Sequence, residues 1–186
     1  MVQLLPIAET PFVAPTDRDM LPSERREFVL THRTCMFGYA RQSDGPAMSV
    51  VYYIPTSDGE LLVSTMADRA KAKAAVRSSK VSLCVLDEQW PLTYLQVYCD
   101  AVVDPDPGLT VDVMLAVGGR MSGKALGDDA RPFVKAMAEQ EGRVVIRCTP
   151  YSTFATPPRH LHDNDQEERI THWLSGSIPW DASDPV

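Results

Sequence analysis

The sequence predicts a mainly β protein of the α+β class, in which about six antiparallel strands form a barrel with flanking helices. Short runs rich in β-branched and aromatic residues recur along the chain, which is typical of strands. Asp-Gly turns join the first three of these runs into a meander, and this dipeptide is a strong hairpin signal. Few segments have helical composition, and closing the strands into a barrel removes exposed sheet edges.

Six segments carry the strand pattern. The turns at Asp44-Gly45 and Asp58-Gly59 separate the first strand from the second and the second from the third. Strands resume after a segment rich in alanine, lysine and arginine, and the last strand follows a second stretch of helical composition. The predicted strands are residues 35–41, 47–54, 60–65, 80–87, 93–103 and 143–150.

Four segments have helical composition. In the first, Ser23 is suited to cap the helix, and Glu24 and Glu27 lie near its positive end. The glycine-rich residues 118–123 (GGRMSG) predict a flexible joint between the last two helices. The predicted helices are residues 23–32, 68–79, 109–118 and 129–140.

The chain has the size of one domain. Its 186 residues are enough to bury a substantial core, and 44% hydrophobic with 23% charged residues is ordinary for a globular protein. The N-terminus is rich in proline, and the residues from Pro157 onward mix charges with histidine and tryptophan. We therefore expect an N-terminal arm at 1–20, the barrel domain at 21–157 and a C-terminal extension at 158–186.

Charge and hydropathy argue against two classes of partner. The net charge of −7 argues against nucleic-acid binding, because neutralising phosphates requires a basic face. No stretch approaches the ~20 apolar residues that span a bilayer, and the N-terminus lacks a leader pattern. We expect a cytoplasmic protein that has no membrane partner.

The cysteines and histidines do not predict a metal site. Cys35, Cys84, Cys99 and Cys148 are far apart in the sequence, and three of them sit in apolar runs. We expect buried, reduced thiols. The pair of histidines at 160–162 lies on a polar tail with no further ligand in view, which favours solvated side chains.

The segment at residues 61–85 carries the strongest functional signal. A strand ends in Ser64 and Thr65, a short loop follows, and Arg69 and Lys71 lie at the start of a helix. Hydroxyls, two cations and a helix N-terminus together favour an anion such as phosphate, which arginine grips with its planar fork. A solvated cationic face on a surface helix explains the same residues, and composition alone leaves both interpretations open.

The order and spacing of these segments resemble the pyridoxamine 5′-phosphate oxidase-like superfamily of split β-barrels. The likeness is greatest to its branch of flavin/deazaflavin oxidoreductases, group B, and covers about residues 22–157. The matching segments are THRTCMFGYAR, DGPAMSVVYYI, DGELLVST, the Arg-x-Lys loop, KVSLCVLD, YLQVYCDAVV and RVVIRCTPYSTFAT. The resemblance implies a split β-barrel like that of FMN-binding proteins.

The resemblance also implies a cofactor site. In the family, strand-end hydroxyls and the Arg-x-Lys pair bind the cofactor phosphate, and the ring lies at the two-fold interface of a homodimer. By position, the phosphate-binding residues are Ser64, Thr65, Arg69 and Lys71. The resemblance also implies that the strand with Ser49, Val51 and Tyr52 passes beside the ring.

The implied activity is hydride transfer between the cofactor ring and a small organic substrate. FMN and the deazaflavin coenzyme F-420 both fit, and the group B likeness favours the deazaflavin. The cofactor performs the redox step, so no side chain is assigned a catalytic role. The acidic tail of the deazaflavin is expected to run across Arg120, Lys124, Arg131 and Lys135.

Two departures from the family pattern keep other functions open. Many relatives carry glycine where this chain has Cys99, and some carry a polar amide at the place of Val50. A cofactor carrier or haem-binding protein on the same barrel, without turnover, is the main alternative. Pyridoxamine phosphate oxidation is a third hypothesis. It is disfavoured because the sequence has no convincing match to that enzyme's C-terminal substrate-binding segment. The sequence does not reveal the substrate, because substrate-selecting residues lie on variable loops.

Overall fold

The structure, a computed structural model, describes residues 2–6, 8–15, 18–87, 92–156 and 176–185. The helices in these ranges are α1 (Pro22–Thr31), α2 (Ala70–Ser78), α3 (Pro107–Ser122) and α4 (Arg131–Glu141), the last preceded by a short 3-10 turn (Asp128–Ala130). The strands are β1 (Thr34–Tyr39), β2 (Ala47–Tyr52), β3 (Ile54–Pro55), β4 (Leu61–Met66), β5 (Lys80–Asp87), β6 (Thr93–Asp104), β7 (Arg143–Ala155) and β8 (Gly176–Pro179).

These strands form one antiparallel sheet that curls into a half-barrel. The strand order is β2-β1-β5-β6-β7-β4-β3, and β8 pairs with the end of β7. The helices flank the sheet. The mainly β, α+β split-barrel fold expected from the sequence is therefore confirmed.

β7 connects the two halves of the sheet. Its beginning pairs with β4, where Arg143 lies opposite Met66, while most of its length pairs with β6. The register between β6 and β7 shifts between Tyr98 and Cys99, and a bulge of this kind bends a strand pair. Because β7 pairs with β4, β6 and β8, the sheet curls around its own core.

The main core lies inside the curved sheet. Phe28 of α1 and Leu61 of β4 are fully buried members of this cluster. The neighbouring residue Leu62 belongs instead to a second cluster, which it shares with Val113 of α3. Since successive side chains of a strand point to opposite faces, α3 packs on the outer face of β4. A third, smaller cluster joins α3 to α4.

Buried polar contacts attach α1 to the sheet. Arg25 is 1% exposed and donates to the backbone oxygens of Thr153 in β7 and Gly176 in β8. At the other end of the helix, the hydroxyl of Tyr53 donates to the backbone oxygen of Val29 at 2.5 Å. That carbonyl is one of the last four of α1, which have no partner within a helix. Tyr53 therefore completes the end of α1.

The six predicted strands are present, with changed ends. The segment predicted as one strand over 47–54 is two, because the chain changes partner at Tyr53: β2 pairs with β1, and β3 pairs with β4. The last predicted strand runs to Ala155 rather than to residue 150, since its end finds a partner in β8. The sequence did not predict β8.

The four predicted helices are also present, but two details were wrong. α1 begins at Pro22, and the Glu24 carboxylate accepts from the backbone N–H of Leu21 at 2.7 Å, so Ser23 is not its cap. The predicted joint at 118–123 is helical as far as Ser122. α3 ends only at Gly123, whose φ of 74° is the left-handed conformation that favours glycine. Within the described ranges, no helix has the length and apolar character needed to cross a membrane.

Both predicted terminal segments contact the barrel where the structure describes them. Leu5 donates its backbone N–H to the oxygen of Pro55 at 2.9 Å. Near the other end of the chain, Arg26 of α1 donates to the backbone oxygen of Trp180 at 2.8 Å. These bonds fix parts of the arm and of the extension to the barrel.

All four cysteines are free thiols. Cys35, Cys99 and Cys148 are buried and Cys84 is half-buried. Burial raises the pKa of each of these thiols. They are therefore protonated at neutral pH and poor nucleophiles.

We expect Tyr53→Phe to lower the free energy of unfolding by about 1–3 kcal/mol, because it leaves the buried carbonyl of Val29 without a hydrogen bond. Urea unfolding followed by circular dichroism measures the change. Tyr151→Phe is the matched control, since Tyr151 is 44% exposed. Equal stability losses in the two variants would contradict the anchoring role of Tyr53.

Candidate functional site

The segment singled out by the sequence forms part of an open cavity of about 450 Å³. The cavity lies where β4 ends and α2 begins. Its walls come from α2 and from four strands, β1, β2, β4 and β7. The lining residues are Tyr39, Ser49, Ser64, Thr65, Met66, Arg69, Ala70, Lys71 and Arg143.

The curl of the sheet brings these residues together. β2 is one edge of the sheet, and β4 lies next to the opposite edge, which is the two-residue strand β3. β2 and β4 are not paired, yet they come into contact as the sheet closes on itself. Ser49 of β2 and Ser64 of β4 therefore line one cavity.

Two hydroxyls at this cavity have no hydrogen-bond partner. The Oγ atoms of Ser49 and Ser64 are both buried, and neither bonds to any described residue. A buried polar group without a partner costs about 1–3 kcal/mol, and such groups are rare in native proteins. A ligand with hydrogen-bond acceptors at this cavity would give the two hydroxyls the partners they lack.

α2 presents an uncapped N-terminus to the same cavity. Its N-cap residue is Arg69, whose side chain makes no capping hydrogen bond, and its first turn holds no acidic residue. The first N–H groups of a helix lack partners within the helix and form the positive end of its dipole. Ala70 and Lys71, the first two residues of α2, both line the cavity, so an anion suits this position.

Three cations give the cavity a positive field. Arg69 is exposed and Lys71 is half-buried, and neither forms an ion pair with a described residue. Arg143 donates to the Glu141 carboxylate at 2.7 Å. Burial lowers the pKa of Lys71, and the positive charges of Arg69 and Arg143 lower it further. A bound anion would relieve this repulsion.

The structure brings together five of the seven residues predicted to bind the cofactor. Val51 packs against the main core and Tyr52 is half-buried, and neither lines the cavity. The two alternate along β2, so Val51 shares a face with Ser49 and Tyr52 does not. The five predicted residues at the cavity are Ser49, Ser64, Thr65, Arg69 and Lys71.

Sequence reasoning missed other lining residues, among them Tyr39 and Arg143. Tyr39 is the last residue of β1, and its place at the cavity follows from the pairing of β1 with β2. Arg143 lies far along the chain and reaches the cavity because β7 pairs with β4. A single arginine after a helix-ending glycine is the only local signal for Arg143, and it is too common to be used alone.

The two departures from the family pattern lie outside this cavity. Val50 is 74% exposed on the edge strand β2. Cys99 is fully buried beside the bulge in β6. Neither residue lines the cavity, so neither changes its anion-binding groups.

The four cations expected along the acidic tail of the cofactor are not all available to it. Arg120 is 2% exposed and donates to the backbone oxygen of His32 at 3.0 Å. Arg131 and Lys135 are exposed, but each forms an ion pair with a carboxylate. Of the four predicted residues, only Lys124 is exposed without an ion pair in the described part of the chain.

The histidine pair at 160–162 lies outside the described residues, so the prediction that it binds no metal stays a prediction. In the described ranges, no group of three or more His, Cys, Asp or Glu side chains is placed to hold a metal ion. His32 is buried, with Nδ1 2.6 Å from the backbone oxygen of Phe28.

Comparison with known proteins gives matches among solved structures. No family model and no curated protein sequence matches the chain. The conserved hypothetical protein Rv2991 from Mycobacterium tuberculosis is similar, with a TM-score of 0.65 and 24% identity over 79% of this chain and 91% of that one. An F420 reductase matches with a TM-score of 0.52 and 22% identity, over 68% of this chain and 94% of that one.

A heme binding protein from Mycobacterium smegmatis is also similar. Its TM-score is 0.57 and its identity 12%, over 88% of this chain and 59% of that one. At such identities these likenesses show the fold alone. They confirm the split β-barrel expected from the resemblance to pyridoxamine 5′-phosphate oxidase-like proteins.

We expect Lys71 to make stability depend on pH. Because its pKa in the folded protein lies below the ordinary lysine value of about 10.4, the unfolded chain binds more protons between these two values. Across that window the free energy of unfolding should rise with pH in the wild type relative to Lys71→Met. Urea unfolding at a series of pH values measures the difference.

Lys73→Met is the control for this experiment, since Lys73 is an exposed lysine on α2 that does not line the cavity. It should follow the pH dependence of the wild type. A stability difference between wild type and Lys71→Met that stays constant with pH would show that the cavity does not destabilise the ammonium group.

Proposed function

We propose that this protein is an oxidoreductase that binds a phosphate-bearing flavin or deazaflavin cofactor in the cavity at the end of β4. It transfers a hydride between the cofactor ring and a small organic substrate, and it acts as a homodimer. The observation that carries the proposal is the pair of buried, unpartnered hydroxyls of Ser49 and Ser64 beside the N-terminus of α2.

A phosphate group fits the donors of this cavity. The serine hydroxyls and the first N–H groups of α2 donate to phosphate oxygens. Arg69 supplies a planar fork and Lys71 a point charge, which are the usual partners of phosphate. A bound phosphate also brings the pKa of Lys71 back towards its ordinary value, because it counters the effects that lower that pKa.

The ring of the cofactor extends from the phosphate along β2 in this proposal. Ser49 lies at the cavity, and Val51 follows on the same face of the strand. Tyr52 is half-buried at the far end of β2. The cavity thus holds the phosphate end of the cofactor, and β2 supports the ring outside it.

The cofactor supplies the hydride chemistry once it is bound. The residues of the chain bind the phosphate, orient the ring and exclude water from its reacting face, and such positioning accounts for much of the rate of a hydride transfer. No histidine or cysteine lines the cavity within the described residues. We assign no side chain of this cavity the role of acid or base, because the cofactor supplies the redox chemistry.

Of the two cofactors, we favour coenzyme F-420. The resemblance to group B oxidoreductases supports it, and so does the similarity in fold to a protein named as an F420 reductase. FMN is the alternative, because the cavity recognises a phosphate and both cofactors carry one.

We expect FMN to bind at least about tenfold more tightly than riboflavin, which lacks the phosphate, because hydrogen bonds to a charged group contribute about 1.5–3 kcal/mol. Ser64→Ala, Arg69→Ala and Lys71→Ala should each weaken FMN binding and leave riboflavin binding unchanged. Titration of flavin fluorescence measures both affinities. The same comparison applies to coenzyme F-420 and its phosphate-free ring compound.

Lys73→Ala is the matched control for Lys71→Ala, since both lysines lie on α2 and only Lys71 lines the cavity. Equal affinities for FMN and riboflavin would contradict the proposed phosphate site. A loss of FMN affinity in Lys73→Ala as large as that in Lys71→Ala would also contradict it. Turnover with quinone, enone or tetrapyrrole acceptors then separates an enzyme from a carrier. Tight binding without turnover would make this protein a carrier.

An exposed apolar face of β2 supports the proposed homodimer. Met48 and Val50 are 68% and 74% exposed, and both point to the same face of this edge strand. Proteins usually protect edge strands with charges or cover them, and exposed apolar neighbours on an edge favour association. A second copy placed on β2 would cover these side chains, which lie on the face of the strand opposite Ser49 and Val51.

We expect Val50→Lys to dissociate the homodimer, because it would bury a charge in each half of the interface. Sedimentation velocity measures the oligomeric state. The control is Val76→Lys, because Val76 is 75% exposed but lies on α2. A wild-type monomer, or a Val50→Lys dimer as stable as the control, would rule out this interface.

A further inference from the structure

A second and larger cavity, of about 710 Å³, shares no lining residue with the first. One wall is the face of α3 that carries Gly119 and Arg120. Another wall is the N-terminal segment of residues 4–6 and 8–9. Arg33, which immediately precedes β1, also lines it.

The two cavities lie at opposite ends of β1. Arg33 precedes the strand and lines the second cavity, whereas Tyr39 is its last residue and lines the first. The extended strand between them separates these two residues by about 20 Å. A small ligand in the second cavity therefore does not contact the residues of the first.

Arg120 is a buried cation without a carboxylate partner in the described chain. Its side chain is 2% exposed, and its hydrogen bond joins Nη1 to the backbone oxygen of His32 at 3.0 Å. The other terminal nitrogen, Nη2, has no partner. Burial lowers the pKa of Arg120; the nearby Tyr53 opposes this shift, and the positive charge of Arg33 lowers the pKa further. A buried guanidinium in such surroundings is unfavourable unless an anion neutralises it.

The other charges at this cavity also favour an anion. Arg33 and Lys124 line it, are exposed and form no ion pair with a described residue. Glu9 is the one carboxylate among the lining residues that the structure describes, and it too is exposed and unpaired. Three cations thus face one carboxylate.

The rest of the lining is largely apolar. Four leucines contribute to it, two from the N-terminal segment, one from α3 and one from the loop after α3: Leu4, Leu5, Leu115 and Leu126. Apolar walls with a few convergent charges are typical of sites for small organic ligands. A strongly hydrated polyanion would find few donors here to replace its water.

The N-terminal wall is held in place by the barrel. Leu5 donates to the backbone oxygen of Pro55 at 2.9 Å, and Phe12 donates to Oγ1 of Thr31 at 2.9 Å. These bonds lie before and after the lining residues at 8–9. The cavity is therefore preformed, which lowers the cost of binding a ligand.

We propose that this second cavity binds a monocarboxylate with an apolar body. The guanidinium groups of Arg120 and Arg33 neutralise the carboxylate, whose geometry matches the arginine fork. The apolar body lies between α3 and the N-terminal segment. The site is separate from the proposed cofactor cavity and does not depend on it.

Decanoate, used below its micelle concentration, is the probe, and decanol is its neutral analogue of equal chain length. Isothermal titration calorimetry on the full chain should show saturable binding of decanoate, with decanol at least about tenfold weaker. Decanoate should also raise the melting temperature, because a ligand that binds only the folded state stabilises it.

Variants test which cations bind the carboxylate of decanoate. Arg120→Met keeps an apolar stem and should weaken decanoate binding by about tenfold or more while leaving decanol binding unchanged. Arg33→Gln alters an exposed position and should also weaken decanoate binding, by a smaller factor. It tests the proposal if Arg120→Met does not fold. Lys135→Gln and Arg69→Ala change cations outside this cavity and should bind decanoate like the wild type.

Three results would overturn the proposal: decanoate that does not saturate, decanoate and decanol with equal affinities, or an Arg33→Gln affinity equal to that of the wild type. Loss of decanoate binding in Arg69→Ala would assign the carboxylate to the first cavity and would also overturn it. Failure of the FMN titration has no bearing on this outcome, because the two experiments concern different residues.

Discussion

The pairing of β7 with three other strands is the constraint on which this structure depends. β7 pairs with β4 at its beginning, with β6 along most of its length and with β8 at its end. A strand can have only two partners at any one point, so these pairings require a long strand and a bend. The bend curls the sheet around the main core and brings the end of β4 towards β2. The first cavity, which is lined by β1, β2, β4, β7 and α2, follows from that curl.

The barrel remains split, and two of the buried side-chain atoms without a hydrogen-bond partner lie at the split. β2 and β4 come into contact but do not pair, so the ladder of hydrogen bonds that satisfies other strands is interrupted between them. Ser49 and Ser64 lie at this interruption, and the uncapped start of α2 lies beside them. A closed ladder would have left no room for a ligand at this point. The proposed anion site is thus a consequence of incomplete closure.

Local signals explain which features could be predicted. Ser64, Thr65, Arg69 and Lys71 lie within one strand–loop–helix segment, so their proximity is visible in the sequence. Arg143 reaches the same cavity only through the pairing of β7 with β4, and no local pattern reveals that register. The glycines before Arg120 predicted a flexible, exposed joint. Instead, the helix continues to Ser122, with Gly119 and Arg120 buried and Arg120 hydrogen-bonded to the backbone oxygen of His32, because tertiary contacts outweigh a weak local propensity.

The two cavities share one feature: each is lined by buried side-chain atoms that lack a hydrogen-bond partner. Four buried side-chain atoms lack a hydrogen-bond partner in the described residues: His32 Nε2, Ser49 Oγ, Ser64 Oγ and Arg120 Nη2. Two belong to residues that line the first cavity; of the others, Arg120 lines the second and is bonded to the backbone of His32. Elsewhere in the described chain the buried polar side chains are satisfied, as folding normally requires. The buried side-chain atoms without partners therefore lie in two places that can each accept an anion, and a ligand at either one would offset a cost that the fold alone leaves in place.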